Sequence, residues 1–261
     1  MLDETALMLL VGAIYETVLE PGGWPQVLER MGDLFGGAAS MLTIQELPAG
    51  VRLVAGARLD LSLQPLFEAE YSSPRRNQSI ALLLRQPVGL PIISSKFHDR
   101  REFYRGEIYD VFHRPQKLQD GASALLLREA HCCAMWGLMQ REGAEPLAAA
   151  DERLLLALAP HMQRAVQLLL RLDVLKARAG AAGDALDRLP IGVILVDAAG
   201  RPLRLNRVAE GILAQADGLQ ARRDGLVAAH PDETRTLHRL IAAAAATGTG
   251  RGLGSGGALS L

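Results

Sequence analysis

The chain has 261 residues, of which 49% are hydrophobic, 22% charged and 4% aromatic, and its formal net charge is −1. That length predicts two domains or one large one, and the composition is that of a globular protein able to bury a sizeable core. The balanced charge lacks the basic excess of a nucleic-acid module, so contact with DNA or RNA by these residues is not expected.

Residues 4–20 carry Leu7, Leu10, Val11, Ile14 and Val18 at helical spacing. Acidic residues precede this apolar stretch and recur within it, so it reads neither as a signal peptide nor as a membrane span. After the break "EPGGWP", a second helix is predicted over about 24–36, with Val27, Leu28, Met31, Leu34 and Phe35 on one side and Gly36-Gly37 as its stop. "SMLTIQEL" and "VRLVAGARL" read as strands joined by "PAG". A short helix is predicted over 62–72. A looser stretch follows, with prolines at 74, 87 and 91.

Phe103, Tyr104, Tyr109 and Phe112 then fall within ten positions of a chain poor in aromatic residues. If 101–112 is helical, Tyr104, Ile108, Val111 and Phe112 share one face. That face suits a core helix with an aromatic inner side. That core reading is the favoured one; the alternative is the wall of a cavity closed by the strand that carries Trp136 and Met139, since buried tyrosine hydroxyls seek partners. The candidate ligand-binding set is Tyr71, Phe103, Tyr104, Tyr109, Trp136 and Met139. "ALLLRE" and "CCAMWGLMQRE" read as two strands with a tight turn near Glu129 to His131. The second is apolar almost throughout, as a central strand is. Helices, hairpin, helices, hairpin and helix in that order describe an α+β domain with an antiparallel sheet.

Residues 146–178 give the longest helical pattern. Leu155, Met162 and Leu169 fall seven apart, as do Leu158, Ala165 and Leu172, which is an a/d seam and a candidate dimer interface. Pro160 is expected to kink it. "ARAGAAGDAL" reads as a small-residue linker. Three parts are therefore expected: a domain over 1–145, a linking helix over 146–183 and a second module over 184–261. In the last, "IGVILVD" and "PLRLN" read as a hairpin, 206–216 as a helix that Asn206 caps, 231–247 as another helix, and "ALSL" as the start of a strand. One hairpin and one nascent strand make a poor sheet, so this module looks cut off part-way.

Chemical motifs are sparse. Gly252, Gly254 and Gly257 match G-x-G-x-x-G, but a helix precedes them and a strand is expected after, the reverse of a phosphate loop. Along a strand His131 and Cys133 share a face while Cys132 points away. No third or fourth ligand is apparent, so buried thiols are expected instead of a metal site. Vicinal cysteines bridge poorly, and a reducing cytoplasm is expected. There is no G-x-S-x-G and no recognisable Ser, His and Asp set. Neither enzymatic activity nor a cofactor is expected.

Four segments together resemble a large group of bacterial LuxR-type helix-turn-helix transcriptional regulators. "LLVGAIYETVLEPGGWPQVLERMGDLFGG" is similar to their N-terminal helices and "EFYRGEIYDVFHRPQKLQDG" to an aromatic segment before the central hairpin. "DERLLLALAPHMQRAVQL" resembles their helix with a Pro-His pair, and "LDRLPIGVILVDAAGRPLRLN" the opening of a PAS-like module. The resemblance implies a GAF/PAS-like sensor domain, a linking helix that supports a homodimer, an incomplete PAS-like module, and a small-molecule or protein signal. DNA would be bound only through a C-terminal domain absent from this chain, which is expected to be a fragment of a longer regulator. The spaced Trp, Tyr and Asp pattern of acyl-homoserine-lactone receptors is not found, since Tyr71 precedes "SSPRRN" with no nearby Trp and no Asp-Pro pair. The rival expectation is a ligand-free scaffold whose aromatic face is pure core and whose heptads drive dimerisation.

Overall fold

The computed structural model describes residues 4–46, 50–96, 100–248 and 257–260. The chain divides into two compact units, Met1–Asp173 and Val174–Leu261.

The first unit begins with helices α1 (Glu4–Glu16) and α2 (Trp24–Leu34). α2 buries Trp24, Val27, Leu28 and Met31, which lie on one face at 3.6-residue periodicity. It stops where Gly36 and Gly37 adopt φ of 68° and 82°, a left-handed backbone that a side chain resists. Strands β1 (Ala39–Glu46) and β2 (Gly50–Ala57) form the expected hairpin, whose turn lies outside the described residues. Next come a 3₁₀ turn (Leu61–Leu63), the short helix α3 (Gln64–Leu66) and a wide π turn (Phe67–Tyr71). Helix α4 (Gln78–Leu83), strand β3 (Pro91–Ile93), helix α5 (Arg100–Arg105), a second π turn (Tyr109–His113) and strands β4 (Leu118–Arg128) and β5 (Cys132–Arg141) follow.

The sheet is antiparallel, in the order β2-β1-β5-β4-β3. The most apolar strand, β5, is at its centre, and the fold is α+β as the pattern predicts. β3 closes one edge with Pro91 at its first position, where a missing N–H is tolerated.

Helix α6 (Ala149–Asp187) continues through Pro160 and through the stretch read as a linker. Alanine, leucine and arginine favour helix strongly enough to carry Gly180 and Gly183 with them. The division between the units falls inside this helix.

The heptad seam is occupied within the chain itself. Leu155, Leu158, Met162 and Ala165 are at most 1% exposed and belong to one core cluster with α1, α2 and the sheet residues Leu42, Ile44, Trp136 and Leu138. Leu169 is also buried, and Leu172 is half-buried against the same cluster. An apolar stripe at this spacing serves a coiled coil or a packed sheet equally well, and here it meets the sheet. These six side chains are therefore core, not a free dimer interface.

In the second unit, strands β6 (Ile194–Val196) and β7 (Pro202–Leu205) form the expected hairpin, shorter than the apolar run. Helix α7 (Arg207–Gln215) is capped as predicted: Asn206 Oδ1 accepts from the N–H groups of Ala209 and Val193, at 2.9 and 2.8 Å. A second hairpin, β8 (Leu219–Arg222) and β9 (Gly225–Ala228), was not anticipated, and helix α8 (Pro231–Gly248) follows it. Where a strand was expected at "ALSL", residues 258–260 have no regular structure, and Leu261 lies outside the described residues. Of the G-x-G-x-x-G glycines, Gly252 and Gly254 lie outside the described residues. Among the described residues no helix is long and apolar enough to cross a membrane.

Candidate functional site

A β-strand turns successive side chains to opposite faces, so the central sheet has two different sides. One carries Leu42, Ile44, Ala134, Trp136 and Leu138 and is covered by α1, α2 and α6. The other carries Met41, Thr43, Met135, Gly137 and Met139, together with Gly121 and Ser123 of β4. Over that second face lie the segments 61–71, 78–83 and 100–116. They leave a cavity of about 110 Å³. A smaller void of about 20 Å³ shares Met41, Thr43, Phe67 and Phe112 with it.

Small residues create the space. Ser123 and Gly137 face each other in the β4–β5 register, where larger pairs would fill the gap. A β-carbon at Gly121 would stand 1.9 Å from the Leu138 carbonyl oxygen, so only glycine permits this strand approach. One at Gly137 would meet the flexible Met41 side chain at 3.3 Å. The roof is Phe67, Ile80, Leu83, Phe103, Ile108, Phe112 and His113.

The roof differs from the expected aromatic face for a local reason. The helix does not run through 101–112. It ends at Arg105, Gly106 donates its N–H to the Phe103 carbonyl at 3.1 Å, and the chain resumes as a π turn from Tyr109. A π turn advances fewer degrees per residue than an α-helix, and the break resets the phase. Phe103, Ile108, Phe112 and His113 are thereby turned to the cavity. Tyr104 and Tyr109 do not line it. Their rings pack edge-on at 4.7 Å, and Tyr109 lies parallel to His113 at 6.4 Å, so they stand behind the wall.

Tyr71, also expected to face a ligand, is buried elsewhere. Arg76 lies over its ring at 5.3 Å. Burial, reinforced by a hydrogen bond with Glu107, raises its pKa above the usual tyrosine value. Arg76 donates to both Glu107 carboxylate oxygens at 3.0 Å and pairs with Glu70, tying the segment after α3 to the aromatic segment. The Arg76 and Tyr71 hydrogen bonds hold Glu107 below the usual carboxylate range. Trp136 borders the cavity, but strand alternation sends its indole to the helix side, where Nε1 donates to Ser40 Oγ at 2.9 Å. Phe103 and Met139 line the cavity as expected.

The polar lining is mostly engaged by backbone. Asn77 donates to the Tyr71 carbonyl at 3.0 Å and accepts from Ile80 N–H at 3.3 Å. Ser94 Oγ donates to the Gly121 carbonyl at 3.2 Å, and Gln119 Nε2 to that of Ala144 at 3.1 Å. His113 differs. Its Nδ1 is buried and makes no hydrogen bond, and burial lowers its pKa from 6.5 to about 4, so the ring is neutral. Among the described residues that line the cavity there is no Asp, Glu, Lys or Arg. The sequence reading missed His113 and the small residues Gly121, Ser123 and Gly137. The signal that marks the small residues is their clustering in facing strands that are otherwise bulky.

Comparison of the sequence with family models and with curated proteins gives no match. Among solved structures, the chain is similar to the VqsR LBD domain from Pseudomonas aeruginosa, with TM-score 0.49 and 11% identity over 62% of this chain and 94% of that one. It is also similar to CepR2 from Burkholderia cenocepacia, an N-acylhomoserine lactone dependent LuxR family transcription factor, with TM-score 0.47 and 12% identity over 65% and 99%. A third is the GAF domain of a phosphoenolpyruvate-protein phosphotransferase from Coxiella burnetii, with TM-score 0.40 and 14% identity over 69% and 99%.

Proposed function

We propose that the first unit is the signal-binding domain of a bacterial LuxR-type transcriptional regulator, and that a small molecule binds in the cavity beneath the aromatic segment. The observation that carries this reading is the uncharged cavity itself: a concave, chiefly apolar site with a few convergent polar groups is the usual form of a small-molecule site. The resemblance of the N-terminal helices, the aromatic segment and the Pro-His helix to such regulators supports it. A scaffold has no need of a cavity. Nucleophilic catalysis uses a base hydrogen-bonded to its nucleophile, and His113 Nδ1 holds no such partner.

The relay we propose runs through β5. Met135 and Met139 meet the cavity while Ala134, Trp136 and Leu138 meet the core that contains Leu155, Leu158 and Met162. A ligand that displaces the strand or the roof therefore changes the seat of α6. It shifts the protein between states only to the extent that it binds them unequally. DNA is read, on this proposal, by a helix-turn-helix outside these residues, and the regulator acts in the cytoplasm. A homodimer would draw on the outer side of α6, where Leu156 and Leu168 are 44% and 39% exposed.

Two measurements test the proposal. Xenon, which enters small apolar cavities, should give a bound signal by ¹²⁹Xe NMR with the native chain and lose it in Gly137→Leu, whose side chain fills the space. Compounds from a neutral small-molecule panel that raise the melting temperature should also alter hydrogen exchange along Leu155–Leu169. Binding without any change in that helix would sink the relay, and no bound xenon together with no stabilising compound would sink the signal-binding reading.

A further inference from the structure

On the reading of the first unit as a signal-binding domain, we infer that its cavity takes a compact neutral aromatic compound, one ring with a single hydrogen-bonding substituent of the phenol type, held at that substituent by the imidazole of His113.

Charge narrows the ligand first. With no Asp, Glu, Lys or Arg among the described lining residues, an anion or a cation would give up its hydration and gain no counter-charge. Size narrows it next. The cavity of about 110 Å³ is on the scale of the roughly 150 Å³ that admits one benzene ring, and far from what a long acyl chain fills.

The chemistry of the walls selects a ring. Phe67, Phe103 and Phe112 face Met41, Met135 and Met139 across the space. Phenylalanine edges and thioether sulfurs both make favourable contacts with aromatic faces and edges. Phe67 and Phe112 already pack at 5.0 Å, and Phe103 meets the His113 ring edge-on at 5.1 Å, so the roof holds an aromatic arrangement that a further ring extends.

His113 supplies the polar end. A buried imidazole nitrogen without a partner is rare in folded proteins and calls for an occupant. The neutral ring has one donor and one acceptor nitrogen, and a hydroxyl can serve either. Burial alone depresses its pKa, with no hydrogen bond contributing. The ring is fixed in place by Phe103, Tyr109 and Phe112, so little freedom is lost when a ligand docks.

The test uses the whole chain and four probes at pH 7.5, with affinities from calorimetry or ligand-observed NMR: phenol, toluene, cyclohexanol and benzoate. Phenol should bind about tenfold tighter than toluene, the size of one strong net hydrogen bond. In His113→Phe this preference should fall to about twofold or less while toluene still binds, and His113→Leu replaces that variant if its tryptophan emission is not native. Equal affinities for phenol and toluene, or a preference that survives the loss of the imidazole, overturn the role of His113. Benzoate matching phenol overturns the neutral class, and cyclohexanol matching phenol overturns the aromatic one. If no probe binds, the ligand class is overturned, and the xenon signal decides separately whether the signal-binding reading falls with it.

Discussion

Replacing Leu158 with alanine distinguishes a core stripe from a dimer seam. Leu158 is 0% exposed and packs within the cluster that joins α6 to α1, α2 and the sheet. Truncating a leucine so enclosed removes its transfer free energy and leaves a cavity, together worth roughly 3–5 kcal/mol. A domain of this size unfolds in urea with a slope of roughly 2 kcal/mol per molar, so the midpoint should fall by about 1.5–2.5 M. Tryptophan emission is the assay, because the chain has two tryptophans, Trp24 and Trp136, both at most 1% exposed and both in the first unit. The loss should be the same at micromolar and at hundred-micromolar protein. The matching change Leu168→Ala, on the 39% exposed outer side, should move the midpoint by less than about 0.5 M. A Leu158→Ala shift that is small, or that shrinks as protein concentration rises, would refute the assignment of this stripe to the chain's own core.

Acid should weaken the first unit through His113. Its ordinary pKa is 6.5 and its folded value about 4, so above pH 6.5 the ring is neutral in both states and full stability is present. As pH falls towards 4, the unfolded chain takes up the proton first, and about 3 kcal/mol is lost by the time the folded value is reached. The difference in urea midpoint between the native chain and His113→Phe should change over this window and be flat above it. Asn206→Ala should destabilise the second unit by at least about 2 kcal/mol, since its side chain accepts from Val193 and Ala209 N–H and donates to the Leu186 and Ile191 carbonyls. Hydrogen exchange in α7 and β6 reads this, and unchanged protection would contradict it. Gly121→Ala should prevent native tryptophan burial altogether, because its β-carbon would overlap the Leu138 carbonyl, and a native-like emission spectrum would contradict the close strand approach.

Much of the first unit is legible in sequence because its elements follow simple periods. The apolar run of 132–141 marks the central strand, and the spacing from Val27 to Met31 marks the inner face of α2. The cavity was legible only in outline. Phe103 and Met139 stand where expected, but Tyr104 and Tyr109 are rotated out by the break at Gly106 and the π turn, and a periodicity argument assumes an unbroken helix. Tyr71 gave the same composition signal as a pocket residue, yet its hydroxyl bonds to Glu107. The a/d seam of α6 was misread for another reason, since a stripe of leucines does not say whether a sheet or a second helix will cover it. The hairpin that turns at Arg223-Asp224 was missed because its strands are four residues each, too short a run to show a period.

The partition made by the central sheet has a consequence for how such a protein changes over generations. Residues that set the cavity's volume, Ser123 and Gly137 above all, alternate along their strands with residues that hold the helices in place. Substitutions on the first set resize the chamber while leaving the second set's contacts intact, as long as Gly121 stays. Cavity volume and folding stability can thus drift on separate positions of the same two strands, and a lineage can reshape the chamber without first having to rebuild its core.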